Sequence, residues 1–144
     1  MTTYELIRFA VFWSGIAQLL LCLASPFIPI VLKWPEQLRV LPRLLRQIFW
    51  TYAAYILGTH LVFAVVSVTC AHWLLDGSAM ATVMSGFICL WWGARWIIHL
   101  IGFDMAEVPD EGWHLLAKKA LGLLFVGLTV VYLAAFLFNR GLLT

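Results

Sequence analysis

The 144 residues are 64% apolar and 11% charged, whereas a soluble domain carries about 25% charged residues. So few charges cannot cover a water-facing surface, which excludes an ordinary soluble domain. A formal charge of +2 with no basic tract argues against nucleic acid as a partner.

The length suits one domain. The apolar residues fall into four blocks, each near the ~20 residues needed to cross a ~30 Å hydrocarbon core. The expected fold is therefore all-α: a polytopic integral membrane protein, a four-transmembrane-helix bundle with short loops. Its expected setting is the lipid bilayer of a bacterial inner membrane.

The first span is read over residues 9–32. Thr2 and Glu5 have the spacing of a capping box for its start, and Pro26 and Pro29 are expected to kink or end it. Without a strongly basic start or a small-residue cleavage site, this segment reads as a permanent helix rather than a signal peptide. Lys33 to Arg46 is polar. Trp34 falls at the expected interface, and Pro42 suits the first turn of the next helix. Arg39, Arg43 and Arg46 recur at helical spacing, which predicts a basic edge against lipid headgroups or a docking partner.

The second span is read over 49–75. Thr51, Tyr55 and Thr59 form a hydroxyl stripe with Tyr52 and His60 beside it. Such a stripe either bonds to neighbouring backbone or lines a ligand path, because lipid offers no hydrogen-bonding partner. Asp76, Gly77 and Ser78 form a turn in which Ser78 is placed to cap the third span, read over 80–103. Ala54 and Gly58 on one helix, and Ser85, Cys89 and Gly93 on the next, are small residues four apart. They predict close packing of the second helix on the third.

The third span carries Arg95 and His99, flanked by Trp91, Trp92 and Trp96, and Gly102 is expected to end it. A charge inside a span costs ~2.5–3.5 kcal/mol by insertion scales, so Arg95 should pair, snorkel or serve a site. Glu36 and Glu107 are its possible partners. The stretch from Asp104 to Glu111 is acidic, with Pro109 and Asp110 placed to start a fourth span over 113–138. That span opens with His114, Lys118 and Lys119.

Short loops rich in lysine and arginine stay cytoplasmic. The first and third loops hold most of these residues, so both termini are expected on the non-cytoplasmic side.

Catalytic and metal signals are sparse. Cys22, Cys70 and Cys89 form no CxxC and read as small buried hydrophobes. Cys70, His72 and Asp76 lack the clustered spacing of a zinc site, so no metal is expected. No GxSxG nucleophile motif occurs. A b-type haem would need two histidines of matched depth on different helices. His99 with His114 is the one such pair, since His60 lies mid-membrane without a counterpart and His72 lies near the opposite interface.

Gly93, Ala94 and Arg95, with His99 and Asp104, loosely resemble a G-x-R-H…D stretch in the membrane-anchor cytochrome of succinate dehydrogenase. The histidine and aspartate are displaced, the upstream ligand histidine is absent, and that subunit has three spans. Its haem and quinone sites are therefore not transferred to this chain. The size also suits the four-helix glutathione-handling membrane enzymes, but their arginine- and asparagine-rich second-helix motif is missing.

The sequence thus predicts a non-catalytic membrane subunit or accessory protein of a larger complex, not an enzyme on its own. Arg95, His99, His114, Trp92, Trp96 and His60 are its candidate ligand or partner contacts. Arg39, Arg43 and Arg46 face headgroups. The alternatives are a b-type haem- or quinone-binding electron-transfer subunit and a small oligomeric transporter or channel.

Overall fold

The computed structural model describes residues 1–102 and 112–143, without the side chains of 112–114. The elements among the described residues are all helices: α1 (Thr3–Ala24), α2 (Phe27–Val31), α3 (Trp34–Gln37), α4 (Arg43–Thr69), α5 (Ala79–Ile101) and α6 (Gly112–Asn139). Two 3-10 turns, Leu38–Val40 and Ala71–Leu75, complete the order. Four segments are long and apolar enough to cross a membrane: Thr3–Val31, Arg43–Thr69, Ala79–Ile101 and Leu115–Asn139.

Local chemistry accounts for where these helices start and stop. Thr2 Oγ1 accepts the Glu5 amide at 3.2 Å while Glu5 Oε2 accepts the Thr2 amide at 2.7 Å. This reciprocal cap satisfies two amides left over at the first turn. It starts α1 at Thr3, ahead of residue 9, because the polar turns around Glu5 and Arg8 are helical without being hydrocarbon-soluble. α1 stops at Ala24 and resumes as α2 after Pro26. Ser25 tightens the break by donating its hydroxyl to the Leu21 carbonyl at 2.7 Å.

Lys33 then turns the chain in the left-handed region, with φ 52°. Leu41 and Pro42 are extended, at ψ 145° and 146°, and α4 begins at Arg43. Arg39 therefore lies in a 3-10 turn outside the helix that carries Arg43 and Arg46, and the three arginines do not form one helical edge. The end of the expected second span also differs: α4 ends at Thr69, and Ala71–Leu75 continue as a 3-10 turn. Ser78 Oγ accepts the Ala81 amide at 3.0 Å and opens α5, which closes at Gly102.

The expected packing of the second long helix on the third through small residues is not what forms. α1 packs chiefly on α4, α5 chiefly on α6, and α1 also contacts α6. A Cβ on Gly15 would lie 2.9 Å from Ser67 Cβ and 2.8 Å from Val68 Cγ2, so α1 approaches α4 as closely as glycine permits. The ridge on α5 faces α6: Cys89 Sγ lies 3.6 Å from the Thr129 carbonyl, and a Cβ on Gly93 would meet Thr129 at 3.5 Å. Gly58 faces open space.

Between α4 and α5 stand large rings instead, with Phe63 against Phe87 and Trp91 at centroid separations of 5.9 and 5.8 Å. Aromatic side chains hold these two helices apart, so small residues have no close contact to make there. The shared core gathers Val11, Phe63, Ile88, Trp92, Leu128 and Tyr132 between the two helix pairs.

Candidate functional site

Polar side chains in a hydrocarbon-filled bundle must find partners within the protein, and three groups of them tie the helices together. The first centres on Tyr132 of α6, which is fully buried. Its hydroxyl accepts Gln18 Nε2 of α1 at 2.7 Å and shares a hydrogen bond with Ser67 Oγ of α4 at 2.5 Å. Gln18 Nε2 also donates to the Ser14 carbonyl at 3.1 Å, leaving Gln18 Oε1 buried without a partner among the described residues. One phenol thus joins three helices.

The second group closes the bundle near the termini. Asn139 Nδ2 donates to the Leu74 carbonyl at 2.8 Å, and its Oδ1 accepts the Gly77 amide at 3.0 Å. A longer contact, 3.4 Å, reaches Ser85 Oγ. The last residue of α6 therefore fixes both the 3-10 turn and the link into α5.

The third group holds the sequence candidates. His60 of α4 stacks on Trp92 of α5 at 4.7 Å, and Trp92 stacks on Phe125 of α6 at 5.6 Å. Phe125 meets His99 edge-on at 5.5 Å. Arg95 Cζ lies 5.9 Å above the Phe125 ring, within cation–π range. His99 Nε2 donates to the Lys118 carbonyl at 2.9 Å, since a carbonyl can only accept. Gly122 makes room for that imidazole: a Cβ there would lie 3.3 Å from the His99 ring.

Three ring nitrogens in this group, His60 Nε2, Trp91 Nε1 and Trp92 Nε1, are buried without a partner among the described residues. Buried polar atoms are ordinarily satisfied by protein or ordered water, so these three are the unsatisfied polar positions of the row.

The structure thus unites His60, Trp92, Arg95 and His99 in one row, with Trp96 partly buried against the same core. The His114 side chain and the Glu107 partner suggested for Arg95 lie outside the described residues, so the His99–His114 pair does too. Between His60 and His99 the rings of Trp92 and Phe125 fill the space a macrocycle would need. His99 Nε2, the nitrogen that most often binds haem iron, is committed to Lys118. In the hydroxyl stripe of α4, Thr51 and Thr59 donate to the carbonyls one turn back, Gln47 and Tyr55, at 2.9 Å each. Tyr52 and Tyr55 stand exposed. Arg39 and Arg43 are exposed and Arg46 partly so.

Ser67, Phe125, Tyr132 and Asn139 carry no sequence signal as site residues, and Gln18 shows in the sequence only as a polar interruption of the first span. The available signal was a rule rather than a motif: any polar side chain deep inside a span needs an internal partner. These features define a class, an all-helical bundle with four helices suited to a membrane. Comparisons with protein-family models, curated proteins and solved structures gave no match.

Proposed function

We propose that the chain is a non-catalytic subunit of a larger assembly in a bacterial inner membrane, with both termini on the non-cytoplasmic side. The observation that carries this reading is the N-terminal half of α4. None of residues 43–59 is buried, whereas His60, Phe63, Ala64 and Ser67 in the other half all are. Tyr55 lies twelve residues into that helix, or ~18 Å at ~1.5 Å per residue, and its side chain is 71% exposed.

A phenol at that depth has no acceptor in lipid, whereas tyrosines serving an interfacial belt sit at the headgroups. Ala54 and Gly58 on the same half-helix permit close approach of a second backbone. Trp50, Thr51, Ala54 and Tyr55 line a hollow of about 520 Å³ beside them. A partner helix seated there satisfies the phenol and covers the small residues. Inside the chain itself, Trp92, Tyr132, Ile88 and Leu128 fill the axis with side chains, which favours a packed subunit over a conduit.

A photo-crosslinking residue at position 55, in gently extracted native membranes, tests the reading. One defined protein should be captured from position 55 but not from Leu123, an exposed position on α6. Gly58→Leu should abolish the capture while helicity is retained. A lone, stable chain with nothing captured overturns the proposal.

One observation favours a second reading, a quinone-binding electron-transfer subunit. The unpartnered nitrogens of His60, Trp91 and Trp92 lie beside Arg95, and the indole N–H groups suit a carbonyl acceptor. Solvent extraction of the purified chain followed by quinone analysis separates the readings. Stoichiometric quinone that disappears in Trp92→Phe supports the second, and its absence removes it.

A further inference from the structure

A different part of the molecule carries a ligand site of its own. Glu5, Arg8, Phe9 and Phe12 recur at the i, i+3, i+4, i+7 spacing of one helical face. They line one wall of a groove of about 390 Å³, whose other wall is Val68, Thr69, Ala71 and His72. The groove exists because α4 ends at Thr69 and the chain bends at Cys70 into the 3-10 turn, leaving a step against α1.

Its depth follows from the helix starts. Arg8 lies five residues beyond Thr3, or ~7.5 Å into α1 at ~1.5 Å per residue. His72 lies in the link between two spans, beside Trp73, whose ring is exposed and meets His72 edge-on at 5.7 Å. This is the level of lipid headgroups, where exposed tryptophans collect.

The groove has two chemically distinct ends. Phe9, Phe12 and Val68 face it with apolar surface, while Arg8 and His72 bring donors; the Thr69 hydroxyl is spent on the Val65 carbonyl at 2.7 Å. Glu5 is the one carboxylate lining the groove, its Oε2 engaged by the Thr2 amide at 2.7 Å in the helix cap, and Asp76 acts on His72 from outside it. Arg8 makes no ion pair among the described residues and both it and His72 are exposed. An arginine and a second basic ring at one end of a groove with apolar walls match a phosphate bearing acyl chains. Charge-assisted hydrogen bonds to phosphate are about twice as strong as neutral ones.

We propose that this groove binds one anionic phospholipid, its phosphate held by Arg8 and His72 and an acyl chain lying along Phe9, Phe12 and Val68. The site is independent of the α4 face.

The test is native mass spectrometry of the full chain released from bilayer discs of phosphatidylcholine with a minor share of phosphatidylglycerol. Wild type should retain one phosphatidylglycerol per chain, enriched several-fold over its share of the bilayer. Arg8→Gln with His72→Gln should remove the enrichment. Arg8→Lys, which keeps the charge, should retain part of it, and Arg140→Gln, outside the groove, should leave it intact.

Retention without phosphatidylglycerol preference, or a preference that survives the double substitution, overturns the proposal. Should the double variant fail to fold, wild-type protein alone decides. Trp13 packs edge-on against Phe9 and Phe12 at 6.0 and 5.9 Å. Phosphatidylglycerol brominated on its acyl chains should therefore quench tryptophan emission more than brominated phosphatidylcholine at equal dose. Equal quenching overturns the site.

Discussion

The Tyr132 hydroxyl is a single atom on which three helices converge, and its loss is measurable. Interhelical hydrogen bonds in membranes average ~0.6 kcal/mol and reach ~1.7. Tyr132→Phe removes two and strands Gln18 and Ser67, so a loss of about 1–2 kcal/mol is expected in a reversible unfolding titration in mixed micelles. Replacing Gln18, Ser67 and Tyr132 together by Leu, Ala and Phe should cost less than the sum of the singles, because no unpaired polar group is left behind. Additive losses argue against a shared network.

Asp76 offers a pH test at the same scale. The Ser78 hydroxyl and amide hold its carboxyl below the usual 3.8, with the amide at 2.9 Å. A carboxyl depressed on folding contributes stability above pH 3.8 and loses it as pH falls through the lower folded value. Asp76 is fully exposed, so the effect is small. Asp76→Asn should flatten the acid limb of the unfolding midpoint, lowering it slightly at neutral pH and matching wild type in acid, where the wild-type carboxyl is protonated.

Element by element, the sequence carried the number and type of helices well. Four apolar blocks separated by proline, glycine and charge leave little freedom, and the Thr2–Glu5 and Ser78 caps read correctly because capping chemistry is local. Helix bounds moved because hydropathy reports what dissolves in lipid, whereas a helix extends as far as its caps and dihedrals allow. Pairing was illegible because a small-residue ridge shows that a face can pack closely without showing on what. Ser85, Cys89 and Gly93 met α6, and Gly58 met nothing.

The polar knot was hidden for a related reason: Gln18, Ser67 and Tyr132 lie far apart in the chain, and no spacing links them. At this scale two glycines make opposite predictions. Gly15→Leu should push α1 from α4 and destabilise the isolated chain by several kcal/mol, on the order of an overpacked core or more. Gly58→Leu should leave isolated stability within ~0.5 kcal/mol, as exposed substitutions do. Similar losses at both positions would mean that the open half of α4 is already packed.

At the scale of the whole molecule the bundle is asymmetric. The end near the termini is fastened by Asn139 and Tyr132, while the half of α4 toward the first loop carries no buried residue. The candidate row of His60, Trp92, Phe125 and His99 sits where packing gives way to that open end. Its membership was only half legible. His60, Trp92, Arg95 and His99 drew notice as polar or aromatic residues within spans, but Phe125 looks like any apolar residue of α6. That Trp92 and Phe125 separate the imidazoles is a matter of three-dimensional order alone.

The packing of α1 on α4 and of α5 on α6 has a consequence for biosynthesis. Each pair is contiguous in the chain, so α1 and α4 can insert as a helical hairpin before α5 and α6 are made. The Gly77 amide and Leu74 carbonyl then wait for Asn139, the last residue of α6, to emerge. A nascent chain lacking its final turns should display an unmated Gln18–Ser67 pair to membrane proteases, and completion of α6 hides it. The two hairpins should also be separable genes: co-expressed fragments 1–77 and 78–144 should co-purify as a folded pair. Tyr132→Phe should weaken that complementation more than it weakens the intact chain, because covalent linkage no longer keeps the halves together.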